Sequence, residues 1–327
     1  MTTIDAATLQ TLMNRHGKDG LPFVFGVDYE LQNCFIVDNP LATRDIWWSI
    51  SGTGNGTPPV ADRCVQPSIS PMSCFALDEY AAKFDVIYSG LMRGDSFLAN
   101  LTASVEVNCN ASLENIYASA KARYKLLLPD EFVCFSPECF VRIEHGRIHA
   151  YPMKGTIDAT IENARQILLD NHKEQCEHNT IVDLLRNDLS MISDNVRVTR
   201  FRYIDKVGAA GREILQTSSE IVGDLPDDWR GTLGDIIFRL LPAGSICGAP
   251  KDATVRLIAR AEGCPRGWYT GIFGYFDGES LDSAVMIRCV AKRGDRLYYH
   301  SGGGITVNSD VSDEYNEVLQ KIYIPCQ

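Results

Sequence analysis

Residues 270–306 read TGIFGYFDGESLDSAVMIRCVAKRGDRLYYHSGGGIT, a strand-rich run closed by a helix expected over Asp310–Ile322. Working back from it, Lys251–Glu262 and Thr232–Leu241 read as helices, and Val196–Ile204 and Ile214–Ser218 as strands. Thr160–Ile192 is a long helical stretch broken once. Phe132–Phe135, Phe140–Glu144 and Arg147–Tyr151 read as strands around a Glu144-His145-Gly146 turn. The spacing of Leu113, Ile116, Tyr117 and Ala120 predicts a helix over Leu113–Leu127. Ser96–Glu106 reads as a strand, Phe75–Met92 as a helix, Gly52–Ser70 as a loop and Ile4–Asn14 as a short amphipathic helix. Strands and helices come in blocks rather than in alternation, which favours an α+β fold with antiparallel sheets. No linker past Ser70 divides the chain, so a single domain over residues 1–327 is expected.

The formal net charge of −11 and the lack of a basic stripe argue against nucleic-acid binding. An anionic substrate would then need local cationic groups or a bridging metal. None of the eleven cysteines forms a Cys-x-x-Cys pair, so no zinc or redox spacing appears, and reduced cytosolic thiols are expected. There is no basic-then-apolar leader in residues 1–15 and no apolar run long enough to span a bilayer, which points to a cytoplasmic protein without a membrane partner.

Two acidic pairs share one spacing, Glu174 with Glu177 and Glu314 with Glu317. Residues three apart lie on one helix face, and two such faces opposed across a cleft would suit Mg²⁺, an ion that takes oxygen ligands. An isolated pair of this kind is by default a solvated helix surface. Ser301-Gly302-Gly303-Gly304 joins two strands, where bare backbone N–H groups can approach an anion, or simply form a tight turn. Arg288 ends the apolar run Ala284-Val285-Met286-Ile287, and a buried guanidinium there needs a carboxylate, either internal or on a ligand. Lys154, between Pro152-Met153 and Gly155-Thr156, is either a solvated lysine or, if neutral, a nucleophile.

In this order the blocks resemble those of the chorismate-utilising enzymes, the family of the anthranilate synthase and aminodeoxychorismate synthase large components. They are Ser136-Pro137-Glu138, Lys154-Gly155-Thr156, Glu177-His178 with Ile181 to Leu189, Pro242 to Lys251, Arg266-Gly267-Trp268-Tyr269, Ile287-Arg288 and Gly302 to Glu317. The resemblance covers a core of about residues 100–323, with 1–95 contributing to the same fold. It implies two packed antiparallel sheets surrounded by helices, and Mg²⁺ bridging chorismate to helix carboxylates. By resemblance Glu177 and Glu317 are metal ligands supported by Glu174 and Glu314. Arg288, Tyr269 and the Gly302–Gly304 backbone hold substrate carboxylates, with Lys321 at a basic position nearby. Lys154 stands where anthranilate synthases usually carry Ala, and the aminodeoxychorismate synthases carry Lys. There the lysine adds at C2 of chorismate as the C4 hydroxyl leaves, with Glu138 as the acid, and ammonia then takes C4.

Two positions depart from the family pattern. Cys247, counted by resemblance among the substrate-binding residues, replaces the usual Thr with a weaker donor that puts that contact in doubt, and Gln216 replaces a His usual in anthranilate synthases. No Gly-x-Cys-x-Gly elbow is present, so ammonia is expected from a separate glutamine amidotransferase subunit. The short amino-terminal portion predicts no full inhibitor-binding subdomain. The rival expectations are an anthranilate synthase, an isochorismate or salicylate synthase, and a non-catalytic member that binds chorismate or docks an amidotransferase.

Overall fold

The computed structural model describes residues 2–62, 65–72, 76–209 and 212–326. In chain order the first third runs α1 (Ala6–Asp19), β1 (Phe23–Val27), β2 (Cys34–Asp38), β3 (Trp47–Ile50), β4 (Thr53–Gly54), β5 (Ile69–Pro71), α2 (Leu77–Met92), β6 (Leu98–Cys109) and α3 (Leu113–Ser119). The middle runs β7 (Tyr124–Leu128), β8 (Phe132–Ser136), β9 (Cys139–Glu144), β10 (Arg147–Ala150), β11 (Met153–Asp158), α4 (Ala164–Asp170), α5 (His172–Ser190), β12 (Asp194–Ala209) and β13 (Arg212–Asp224). The last third runs α6 (Leu233–Leu240), β14 (Gly248–Ala249), α7 (Lys251–Glu262), β15 (Ile272–Phe276), β16 (Leu281–Val285), β17 (Cys289–Arg293), β18 (Arg296–Ile305) and α8 (Val311–Gln320).

The described strands form two nine-stranded sheets. One is ordered β11-β13-β10-β9-β16-β15-β1-β2 with β12 on β13; the other is ordered β14-β6-β18-β17-β8-β7-β3-β4 with β5 on β6. The pairings are antiparallel, as the blocked order of elements predicts.

Period-two alternation explains how the sheets stack. On β8, Phe132 and Cys134 point into the layer between the sheets, while Val133 and Phe135 point to the helices outside. On β1, Val24 enters the same inner layer and Phe23 and Phe25 face outward. Strands buried on both faces read as continuous apolar runs, and two sheets sharing an inner face must carry helices on their outer faces. The first sheet takes α1, α5 and α6; the second takes α2, α3, α7 and α8.

Local signals fix several boundaries. The Asp310 side chain accepts from the Ser312 and Asp313 N–H groups and starts α8, and Asn171 does the same for Glu174 in α5. Gly263, at φ 65°, ends α7 in the left-handed conformation.

The helix expected over Leu113–Leu127 stops at Ser119, and Tyr124–Leu128 is a strand instead. Leu126 and Leu127 are buried on opposite faces there, so a run with helical spacing at its start belongs to two elements. The expected loop over Gly52–Ser70 contains β4 and the start of β5, and after the expected Arg147–Tyr151 strand a separate strand, β11, carries Lys154. Of the expected Phe75–Met92 helix, Phe75 lies outside the described residues and the rest begins at Leu77. The nine described cysteines are free, with Cys64 and Cys74 outside the described residues. Among the described residues no helix is long and apolar enough to cross a membrane.

Candidate active site

A cavity of about 590 Å³ opens between the sheets, walled by β11, α5, the loop before β14, β18 and α8. Lys154 reaches it from a bulge in β11, where pairing with β13 shifts register between Lys154 and Thr156. Gly155 takes φ 77° in that bulge, and a Cβ there would lie 3.1 Å from Glu174 Oε2, so the glycine both permits the turn and leaves room for the carboxylate. The Thr217 hydroxyl donates to the Lys154 carbonyl and fixes the bulge. Lys154 Nζ then lies 3.9 Å from Glu177 Oε2.

Glu174 and Glu177 share the cavity face of α5, and Glu314 and Glu317 line the opposite wall from α8. A Cβ at Gly303 would lie 3.3 Å from Glu314 Oε2 and 3.8 Å from Glu317 Oε1, so the α8 carboxylates close directly over bare backbone. Ser309 Oγ donates to Glu314 Oε1 at 2.7 Å. Lys321 Nζ donates to Glu317 Oε1 at 2.6 Å and to the Gly302 carbonyl at 2.7 Å. Burial pulls the Lys321 amine below the ordinary lysine range, and the Glu317 carboxylate opposes that.

Glu138 sits behind Lys154 and accepts a 2.5 Å hydrogen bond from Ser245 Oγ. Burial pushes its carboxyl above the ordinary range, against the Ser245 hydrogen bond and the charges of Lys154 and Lys321. A carboxyl so placed is suited to keep its proton and act as an acid.

Arg288 takes φ 57° and donates from Nη1 to the Lys321 carbonyl at 2.8 Å, with its guanidinium 4.9 Å from the centre of the Tyr323 ring. The sequence left open an internal carboxylate partner; among the described residues no carboxylate forms an ion pair with it. A largely buried guanidinium with spare donors in a cavity is suited to a ligand carboxylate. Tyr269 and the Gly302–Gly304 backbone line the same cavity.

Twelve of the expected site residues therefore line one cavity, and Cys247 does not. Its side chain is fully buried behind the wall, with Sγ 3.6 Å from Tyr29 Oη, while Ser245 and Ile246 face the cavity. The expected substrate contact at Cys247 is corrected: the loop turns this side chain into the core, where burial raises its thiol pKa. Beside it, the buried Arg266 donates to both Glu262 oxygens (2.7 and 2.8 Å), to the Asn100 carbonyl (2.7 Å) and to the Ile246 carbonyl (3.1 Å). Asn100 and Ile246 line the cavity, so this buried pair sets the position of two wall segments. Sequence reasoning passed over Arg266 as a positioning group, and also over His300, which lines the cavity beside the glycines.

Residues 65–326 match the sequence pattern of the chorismate binding enzyme family. The chain belongs to that family. It is 48% identical over 320 residues to an "Uncharacterized PabA-like protein" of Haemophilus influenzae, covering 96% of this chain and 95% of that one. It is 30% identical to the aminodeoxychorismate synthase component 1 of Bacillus subtilis over 81% of this chain, and it spans 59% of that longer relative. The solved anthranilate synthase component I of Streptococcus pneumoniae superposes with a TM-score of 0.65 at 25% identity, over 80% of this chain and 60% of that one. As a family member, the chain is a chorismate-utilising enzyme with the family's two-sheet fold.

The donor set fits magnesium. Four carboxylates from two facing helices line one end of the cavity. Among the described residues no three ligands are gathered into a ready-made cage. Mg²⁺ ordinarily takes one or two carboxylates and completes its shell with waters and substrate oxygens, so an open set of this kind is compatible with it.

Proposed function

We propose that this chain is the aminating component of aminodeoxychorismate synthase, converting chorismate to 4-amino-4-deoxychorismate with Mg²⁺ and with ammonia from a glutamine amidotransferase subunit. One observation carries the reading. Lys154 presents its amine inside the cavity, beside Glu177 and with Glu138 close enough to feel its charge. The bulge that delivers the lysine to that point makes its amine available to the substrate ring as a nucleophile.

With its amine neutral, its proton having been given up to solvent before the chemistry, Lys154 Nζ adds at C2, the two ring double bonds shift, and the C4–O bond breaks. The Glu138 proton goes to the departing hydroxyl, which leaves as water. Ammonia then adds at C4, the double bonds shift back, and the C2–N bond breaks to free the lysine. The proton shed by the new C4 nitrogen returns to Glu138, so the cycle closes. Arg288 and the glycine backbone hold the substrate anions, and Lys321 holds the Glu317 carboxylate and the Gly302 carbonyl in place. Mg²⁺, when held by the α5 and α8 glutamates, supplies the positive charge that lets an anionic substrate lie against four carboxylates.

Anthranilate formation is the second reading, supported by the likeness to the solved anthranilate synthase component. Lys154→Ala separates the two. Under the amination reading the variant loses C4 amination while chorismate and Mg²⁺ still bind; unchanged turnover would remove the covalent lysine from the account.

A further inference from the structure

His300 is a buried imidazole in the cavity wall, only 6% exposed, with no hydrogen bond from its ring to any described residue. Its ring nitrogens are not sealed in the core but open to the cavity, so an imidazole bonded to no described residue has a donor and an acceptor free for a ligand.

The strand fixes where it points. Alternation places His300, Gly302 and Gly304 on one face of β18, with Ser301 and Gly303 on the other. The second face is the α8 side, because Ser301 Oγ donates to the Val318 carbonyl and a Cβ at Gly303 would meet Glu314. The first face is the Lys154 side, because a Cβ at Gly304 would lie 3.3 Å from Lys154 Nζ. His300 stands four residues back along that face, roughly 13 Å from Gly304 at the usual strand rise. It pairs across the ladder with Cys289, the neighbour of Arg288, and its ring centre is 5.2 Å from that of Tyr269.

We propose that His300 is a specificity-determining residue whose neutral imidazole donates a hydrogen bond to the carboxylated side chain of the substrate. The contact lies beside Arg288 and Tyr269, at the end of the cavity away from Lys154. It rests on the reading that chorismate lies with its ring near Lys154 and its enolpyruvyl group toward Arg288. Burial holds the imidazole neutral, with its pKa pushed down to about 3, so it offers one N–H donor and one acceptor over the whole working pH range. Such a donor discriminates by hydrogen bonding: a ligand lacking the side-chain carboxylate leaves it unpaired.

The test is equilibrium binding by calorimetry in the presence of Mg²⁺, with two probes. One is chorismate; the other is the same dihydroxycyclohexadiene carboxylate without the enolpyruvyl group. His300→Phe keeps a ring of similar size and removes both nitrogens, and it is expected to weaken chorismate binding about tenfold while changing the ring acid by less than about twofold. His300→Gln restores a donor and is expected to recover most of the chorismate affinity. In turnover, KM for chorismate rises more than kcat falls. The proposal is overturned if His300→Phe binds chorismate as tightly as the parent, or loses both probes equally. His300→Leu makes the same comparison should the phenylalanine variant fail to fold. Binding does not depend on which product forms, so a finding of anthranilate would sink the amination reading and leave this result standing.

Discussion

Lys154 Nζ lies 3.9 Å from Glu177 Oε2, so the amine proposed as nucleophile and a carboxylate proposed as metal ligand occupy the same end of the cavity. The pair makes Glu177 answerable to both roles. Glu177→Gln keeps the shape and removes the charge. It is expected to raise the Mg²⁺ concentration giving half-maximal turnover by about 10–100-fold, with chorismate affinity falling in parallel at fixed metal. Titration of initial rate against Mg²⁺ checks this; an unchanged midpoint would take Glu177 out of the metal site.

Ser245 tunes the acid. Its hydroxyl donates to Glu138 and lowers a carboxyl pKa that burial raises. Activity that needs protonated Glu138 is present below the raised pKa and is lost as pH rises through it. Ser245→Ala removes a stabiliser of the carboxylate, so the alkaline limb of the pH–rate profile is expected to move to higher pH. Glu138→Gln is expected to lower kcat by about 10²–10⁴-fold and to abolish that limb, measured over the same pH series.

The buried Arg266–Glu262 pair carries a structural prediction. Glu262 also accepts from the Thr102 N–H and hydroxyl, so removing the guanidinium leaves a carboxylate in the core without its cation. Arg266→Leu is expected to cost about 3–5 kcal/mol in urea unfolding. The double replacement Arg266→Leu with Glu262→Leu is expected to recover part of that loss, because the uncompensated charge goes too. A single variant as stable as the parent would show that the pair does not hold the wall.

Acid lability follows from His178. Its ring is buried, its Nε2 lies 2.7 Å from Ser219 Oγ, and burial first, then the charges of Arg202 and Lys154, push its pKa down to about 4. The unfolded chain takes up this proton near pH 6.5 and the folded chain does not, so the stability is full above 6.5 and is lost as pH falls toward 4. The shift amounts to roughly 3 kcal/mol over that window. His178→Gln is expected to flatten the dependence in thermal melts between pH 4 and 6.5, and an unaltered slope would contradict the assignment.

How much of this was legible beforehand depended on whether a signal was local. Helix α7 begins at Lys251 and ends at Glu262 as its sequence predicts, because the Pro250 start and the Gly263 stop are local. The glutamate pairs were visible as spacing, but only the resemblance to a family said that the two helices face each other. Strand β1 went unread: its inner residue Val24 alternates with outer Phe23 and Phe25, and a strand buried on both faces shows no polar alternation. Cys247 was misplaced because a loop carries no periodicity from which a side chain's direction can be read. His300 had a usable signal, two residues before Gly302 on one strand, and so on the same face as the glycines.

Product analysis tests the central claim most directly. The purified chain is incubated with chorismate, Mg²⁺ and an ammonium salt at mildly alkaline pH, with and without EDTA, and the products are resolved by mass spectrometry. The account predicts a magnesium-dependent 4-amino-4-deoxychorismate peak that retains the enolpyruvyl group, with no pyruvate released. Anthranilate accompanied by pyruvate would contradict it.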